Sequence, residues 1–258
     1  MDNTAVKTID RLVKILDYFS QEQRPLSLTE LSVYLRTPKS TLHRFLMGLD
    51  SHGIIRREEN DKKWQLGYRL IEWGSLALES TTLRSIARPI MHDLVAITGE
   101  TAILTIYHNY EVVVIDMCET SQSVRLMMEV GKQRAPHAGA SSKVLLAYLP
   151  EEEVMEIIDE KGLPKLCTNT ITDIPSLKEE LERIRTRGYA DSLEETDPGA
   201  WGVATPIFDG GGRVVGAIGL AGPTQRYDSE KLNQYIKLCR QQAKKISSLL
   251  SMGSRPAS

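Results

Sequence analysis

Residues 27–53, SLTELSVYLRTPKSTLHRFLMGLDSHG, decide the fold, because they spell two short helices joined by a tight turn. Ser27 and Glu30 stand three apart as a capping box, and Leu28, Leu31 and Leu35 recur behind them at helical spacing. Thr37 reads as the cap of a second helix with Pro38 at its first position, where the missing N–H costs nothing. Leu42, Phe45, Leu46 and Leu49 then follow the i, i+3, i+4, i+7 rule and form one buried stripe. With about 3.6 residues per turn, Ser40, Arg44 and Met47 point away from that stripe, and Lys39, Thr41 and His43 flank it. Hydroxyls, a guanidinium and an ammonium on such a helix can reach phosphates and base edges from the major groove. The plainer alternative is a small helical core whose basic residues form a solvated face.

Working outward, Ile54-Ile55-Arg56-Arg57 and Trp64-Gln65-Leu66 lie on either side of the polar run 58–63, the pattern of a two-stranded wing. Ser27 and Thr29 at the head of the first helix, and Arg57, Lys62 and Lys63 on the wing, join the DNA-binding candidates. Upstream, residues 8–20 carry Ile9, Leu12, Val13, Leu16 and Phe19 at helical spacing and close a trihelical core. Downstream, residues 67–80 carry Leu70, Ile71, Trp73, Leu76, Ala77 and Leu78, too apolar for a free linker. A sister subunit is the expected cover.

From Leu83 the pattern becomes mixed. A helix is expected through Leu94, strands over 101–107, 111–117 and 124–129, and helices over 144–149, 151–161 and 177–187. The last of these starts with a Ser176/Glu179 capping box and stops at Gly188. Strands over 202–208 and 213–220 are joined by Asp209-Gly210-Gly211-Gly212, a hairpin turn signal, and a helix over 229–250 places Leu232, Ile236, Cys239, Ala243, Ile246 and Leu250 on one face. The expected organisation is α+β: residues 1–66 as a winged helix-turn-helix, 67–80 as a linker and dimerisation helix, 81–252 as an antiparallel-sheet effector domain, and 253–258 as a flexible tail.

The chain has 258 residues and a net charge of −2, so bulk basicity does not drive binding to nucleic acid. Residues 1–66 hold 11 Lys and Arg against 9 Asp and Glu, so this first stretch is slightly basic and the remainder acidic. Binding must rest on a local patch, doubled by dimerisation. No apolar run approaches the roughly 20 residues that span a bilayer and no signal peptide is recognisable, which points to the cytoplasm. Cys118, Cys167 and Cys239 are scattered and odd in number, suiting a reducing compartment and a packing role.

The competing class is a small-molecule-processing enzyme carrying an appended DNA-binding domain. His43, His52, His92, His108 and His137 show no metal-ligand spacing. His137 near Ser141 and Ser142 lacks a G-x-S-x-G elbow and an orienting acid, and Gly210-Gly211-Gly212 lacks the Lys-Ser/Thr of a phosphate loop. No catalytic residue, metal ligand or cofactor is therefore expected. A DNA-binding scaffold that senses nothing is a third class, against which the size of the second domain speaks.

Several stretches together resemble the IclR-type transcriptional regulators over nearly the whole chain. They are LTEL at 28–31, PKSTLHR at 38–44, QLGYRL at 65–70, HAGASSKVLLA at 137–147, GYA at 188–190, Glu194-Glu195, GVATPIFD at 202–209, GRVV at 212–215 and Gly222-Pro223. The resemblance implies a winged helix-turn-helix, a dimerising linker helix and a GAF/PAS-like effector domain that responds to small metabolites. It implies dimers or pairs of dimers on pseudo-palindromic double-stranded operators, acting as repressor or activator.

It also implies an effector pocket. The loop and helix start at Gly139, Ala140 and Ser141 would offer backbone N–H groups to a carboxylate, a helix N-terminus being favourable to anions; a packing turn is the alternative. Leu126 and Met128 are expected to line the pocket. Positions often Asp, Cys, Ser and Ser in small-acid binders are here Ser192, Gly202, Gly219 and Ala221, so the expected organic acid is larger than two or three carbons. Trp201 reads either as a stacking wall for that ligand or as core.

Overall fold

The computed structural model describes residues 3–58, 61–79 and 82–253, and the chain divides into two compact units, residues 1–80 and 81–258.

The first unit runs α1 (Asn3–Glu22), α2 (Leu28–Tyr34), α3 (Lys39–Ser51), β1 (Ile55–Arg57), β2 (Trp64–Leu66) and α4 (Arg69–Glu79). Ile15, Phe19, Leu26, Leu31, Leu42, Leu46, Leu49, Ile55 and Trp64 form its core, with Phe45 packed at the edge. The Ser27–Glu30 box is present in both directions: Glu30 N–H donates to Ser27 Oγ at 3.2 Å and Ser27 N–H to Glu30 Oε2 at 2.8 Å. Two expectations need correction. The row of α1 that meets the core is Leu12, Ile15, Leu16 and Phe19, so Ile9 and Val13 remain 60% and 49% exposed while Ile15 takes the buried place. Thr37 does not cap α3. Its hydroxyl turns back to Leu35 O at 3.0 Å, Ser32 Oγ donates to Thr37 O, and Pro38 is the N-cap, its carbonyl receiving Leu42 N–H. The wing pairs Ile55 with Leu66 and Arg57 with Trp64, and reciprocal 2.8 Å bonds between Leu26 and Trp64 tie it to the chain ahead of α2. The expected hairpin tip includes Glu59 and Asn60, which lie outside the described residues.

The second unit runs α5 (Thr82–Thr98), β3 (Thr101–His108), β4 (Glu111–Cys118), β5 (Gln133–Arg134), α6 (Ala140–Leu146), α7 (Glu151–Lys161), α8 (Ile174–Arg187), β6 (Ala190–Leu193), β7 (Ala200–Phe208), β8 (Val214–Pro223) and α9 (Ser229–Gly253). The strands form a six-stranded antiparallel sheet in the order β5-β4-β3-β8-β7-β6. Helices cover both faces. On β8, Ala217 joins the core cluster of α6, α7 and α8, whereas a Cβ on its neighbour Gly216 would meet Leu83 of α5 at 2.8 Å. Ile236, Cys239, Ala243 and Ile246 are the buried row of α9, while Leu232 and Leu250 of the same expected face are half-buried.

Residues 124–129 form no strand. Val114 N–H and C=O instead bond Lys132 O and Gly131 N–H, which moves the edge pairing to β5. The cap of α8 is Asp173, whose carboxylate accepts Ser176 N–H at 2.9 Å, so that helix begins at Ile174 and the Ser176/Glu179 pair lies within it. Gly188, at φ 71°, ends the helix in the left-handed conformation that favours glycine. Strand β6 was not legible in the alternation, since its four residues include only one buried position, Ala190.

Candidate functional site: a reading helix and a small-molecule cavity

On α3, Lys39, Ser40, His43, Arg44 and Met47 are exposed in one row, and Thr41 is half-buried at its edge. The same residues that bury Leu42, Leu46 and Leu49 against α2 and the wing thus leave a hydroxyl and three nitrogen-bearing side chains facing outward. Thr29 is exposed, whereas Ser27 is half-buried and spent on the cap of α2. The Glu30 carboxyl is held down at about 2 by the Ser27 hydrogen bonds and by Arg24, so it is fully anionic yet already engaged. On the wing, the Arg57 guanidinium lies over the Trp64 ring at 5.6 Å, Lys63 faces Asp61 at 3.7 Å, and Lys62 is exposed.

The second unit encloses a cavity of about 240 Å³ between the sheet, the start of α6 and the segment preceding β5. That volume lies just below the roughly 300–1,000 Å³ usual for drug-sized ligands, so it suits a small metabolite. Leu126, Met128, Gly139, Ala140, Ser141, Ser192, Trp201, Gly202 and Ala221 all line it. Gly219 does not. A Cβ there would stand 2.4 Å from Val203 O, so this glycine lets β7 and β8 approach and is no ligand wall. Trp201 is a core residue, 3% exposed and stacked at 5.6 Å on Tyr235, and it also borders the cavity.

The cavity has two chemical sides. Ile103, Val114 and Ala221 form a small apolar cluster on which Leu126 and Met128 pack. Opposite are the hydroxyl-bearing residues Ser141, Ser142, Ser192 and Thr196, together with Arg134, whose guanidinium meets Asp197 at 3.1 Å. Burial opposes ionisation of Asp197, but hydrogen bonds from Thr196 and Arg134 and the nearby positive charge keep its pKa low. One expected anion donor is already occupied: Gly139 N–H donates to Glu195 Oε2 at 2.9 Å. The N–H groups of Ala140 and Ser141 lie in the first turn of α6, where a helix has no carbonyl of its own to offer them.

Glu195 belongs to a buried ionic network that fixes this end of α6. Lys143 Nζ lies 2.6 Å from Glu195 Oε1, 3.3 Å from Glu180 Oε1 and 3.0 Å from Asp191 O, and its side chain is 3% exposed. Arg187 completes the network through Glu180 and Asp191. His137 is spent elsewhere, its Nε2–H donating to Pro164 O at 3.0 Å, and burial pushes its pKa down. Among the described residues no group of His, Cys, Asp and Glu could hold a metal, and no helix is long and apolar enough to cross a membrane.

Sequence reasoning missed Arg134, Thr105, Ile103, Val114, Ser142 and the Thr196–Asp197 pair as cavity residues. Arg134 left a usable signal, a cation just upstream of the Gly139 loop. The strand residues left none, because which face of a buried strand meets a cavity depends on the partner strands.

The IclR helix-turn-helix family matches residues 8–59, and the family described as bacterial transcriptional regulator IclR C-terminal matches residues 75–248. The HTH-type transcriptional regulator BhcR of Paracoccus denitrificans is 32% identical over 246 residues, covering 95% of this chain and 88% of its own. The crystal structure of the Thermotoga maritima IclR is 32% identical with a TM-score of 0.72, covering 95% of this chain and 99% of that one. An IclR homologue of Microbacterium hydrocarbonoxydans, crystallised with 4-hydroxybenzoate, is 27% identical with a TM-score of 0.78, covering 95% of this chain and 99% of that one.

Proposed function

The chain belongs to the IclR family of bacterial transcriptional regulators, and from that premise we propose how its parts divide the work. Residues 1–66 read a double-stranded operator, residues 67–80 pair two subunits and residues 81–252 hold a small organic acid; of the expected tail, 253–258, Gly253 closes α9 and the rest lies outside the described residues. Arg44, Lys39, Ser40, Thr41, His43 and Met47 enter the major groove, while Thr29, Arg57, Lys62 and Lys63 meet the backbone. The exposed row on α3 is the observation that carries this reading.

The effector's carboxylate lies by the Ala140 and Ser141 N–H groups, with Arg134 as its countercharge, and its body lies on Ile103, Val114, Leu126, Met128 and Ala221. The small residues at 192, 202 and 221 favour an acid larger than two or three carbons. The organic acid bound by the Microbacterium homologue supports that class. The protein works in the cytoplasm as a dimer or a pair of dimers. Regulation is favoured over the enzyme alternative because His137 is committed to Pro164 and the relatives above are regulators.

A thermal-shift screen of organic acids on the full chain tests this. An acid at a hundred times its dissociation constant should add about 2.7 kcal/mol of stability and change operator retention in a gel shift. If no acid in a broad panel raises the melting temperature, the effector assignment falls; the operator assignment stands or falls separately with Arg44.

A further inference from the structure

Two polar groups of the cavity lining, the Thr105 hydroxyl and Trp201 Nε1, find no hydrogen-bond partner among the described residues. Thr105 lines the cavity from β3 and is 1% exposed. It sits where β3 slips against β4, the register shifting between Leu104 and Thr105, and it pairs with Val114, another cavity residue. Its neighbours of the apolar side, Ile103 and Val114, offer no acceptor side chain. A buried hydroxyl without a partner is costly, and such groups in native cores call for an explanation.

Trp201 Nε1 is the other unpartnered buried polar atom of the lining, and it does not compete for this role. It stands 2.9 Å from the Cβ position of Gly222, a position that also lies 2.5 Å from Glu100 Oε2, so it belongs to the Glu100 corner. There Arg226 binds the Glu100 carboxylate at 2.6 and 2.8 Å.

We propose that Thr105 is a specificity-determining residue: its hydroxyl receives a second oxygen of the effector, so that the ligand is a hydroxy or oxo acid rather than a simple carboxylic acid. This rests on the reading of the cavity as an organic-acid site. The Thr hydroxyl donates to a carbonyl oxygen, and it either donates to or accepts from a ligand hydroxyl. A site that presents such a group discriminates against the analogue lacking it, because the buried hydroxyl is then left unpaired.

The test uses matched acids on the full chain by titration calorimetry: 4-hydroxybenzoate against benzoate, 2-oxopentanoate against pentanoate, and 4-hydroxybutanoate against butanoate. Wild type should bind at least one oxygenated member about tenfold more tightly than its partner. Thr105→Val, which keeps the shape and removes the hydroxyl, should erase that preference while leaving the deoxy acid's affinity unchanged. Thr105→Ser should keep it. The ligand-free Thr105→Val protein should melt no lower than wild type, as an unsatisfied hydroxyl has been removed.

Three results overturn the proposal: equal affinity within every pair, a preference that survives in Thr105→Val, or a ligand-free Thr105→Val that melts well below wild type. Wild type binding none of these acids would remove the organic-acid reading itself and this inference with it. Binding without discrimination removes only the role of Thr105.

Discussion

Arg44 concentrates the DNA reading in one side chain. It is exposed, makes no ion pair among the described residues, and shares its helix with Leu42 and Leu46, which are buried. Arg44→Ala should therefore leave the melting temperature unchanged and weaken operator binding. A loss of about 1–3 kcal/mol confined to the specific site would mark a base contact, and uniform weakening on random DNA a phosphate contact. Lys143 is the opposite case, a cation that acts only inside. Lys143→Met should cost about 3–5 kcal/mol in urea unfolding, because Glu195 would stay buried without its cation, while Glu180 keeps Arg187. At this scale, legibility followed solvent. The exposed candidates on α3 could be placed from helical periodicity alone, whereas Gly139 could not be recognised as occupied, because its partner Glu195 stands 56 residues away.

Among the elements, α2 carries a pH signature. The folded-state pKa of Glu30 is about 2 against an ordinary 4.5, so the capping box contributes its full stability above about pH 4.5 and loses it as pH falls through 2. In Glu30→Gln the melting-temperature deficit relative to wild type should be constant near neutrality and shrink between those limits. The carboxylate is largely solvated, so the effect is a modest one. Helix α4 makes a second prediction. It has no buried residue, and Tyr68 just before it, with Ile71, Trp73 and Leu76, is 68%, 66%, 45% and 58% exposed. Trp73→Glu should shift the sedimentation equilibrium toward monomer at micromolar concentration, and a wild-type monomer there would refute the pairing role. Long periodic elements such as α9 and the β7–β8 hairpin could be read directly from their spacing and turn residues. Segment 124–129 could not, because Leu126, Met127 and Met128 line the cavity and pair in no sheet, and β5 and β6 are too short to show a period.

At the scale of the molecule, the family could be identified from motifs that span both units, while the pocket could be read only in outline. Ser192, Gly202 and Ala221 line the cavity, but Gly219 shows why a position carried over from relatives still needs its own geometry. Gly219→Leu, which would drive a side chain into Val203 O, should unfold the second unit and leave the ligand question unanswered. Ala221→Leu is the sharper test, since Ala221 lines the cavity. It should abolish the melting shift from an organic acid while operator binding persists, and retained affinity in a folded protein would place the effector elsewhere.

The chain's three tryptophans fall one to each of the tasks assigned above. Trp64 is 2% exposed in the core of the first unit, Trp73 is 45% exposed on α4, and Trp201 is 3% exposed at the cavity wall with Tyr235 stacked on it. Intrinsic fluorescence therefore carries three separable signals. Trp64 should emit at short wavelength until the winged unit melts, Trp73 should shift from long to shorter wavelength as subunits associate, and Trp201 should change intensity when the cavity fills. Single-tryptophan versions made by Trp→Phe replacement would let folding, assembly and effector capture be timed in one cuvette without any added label.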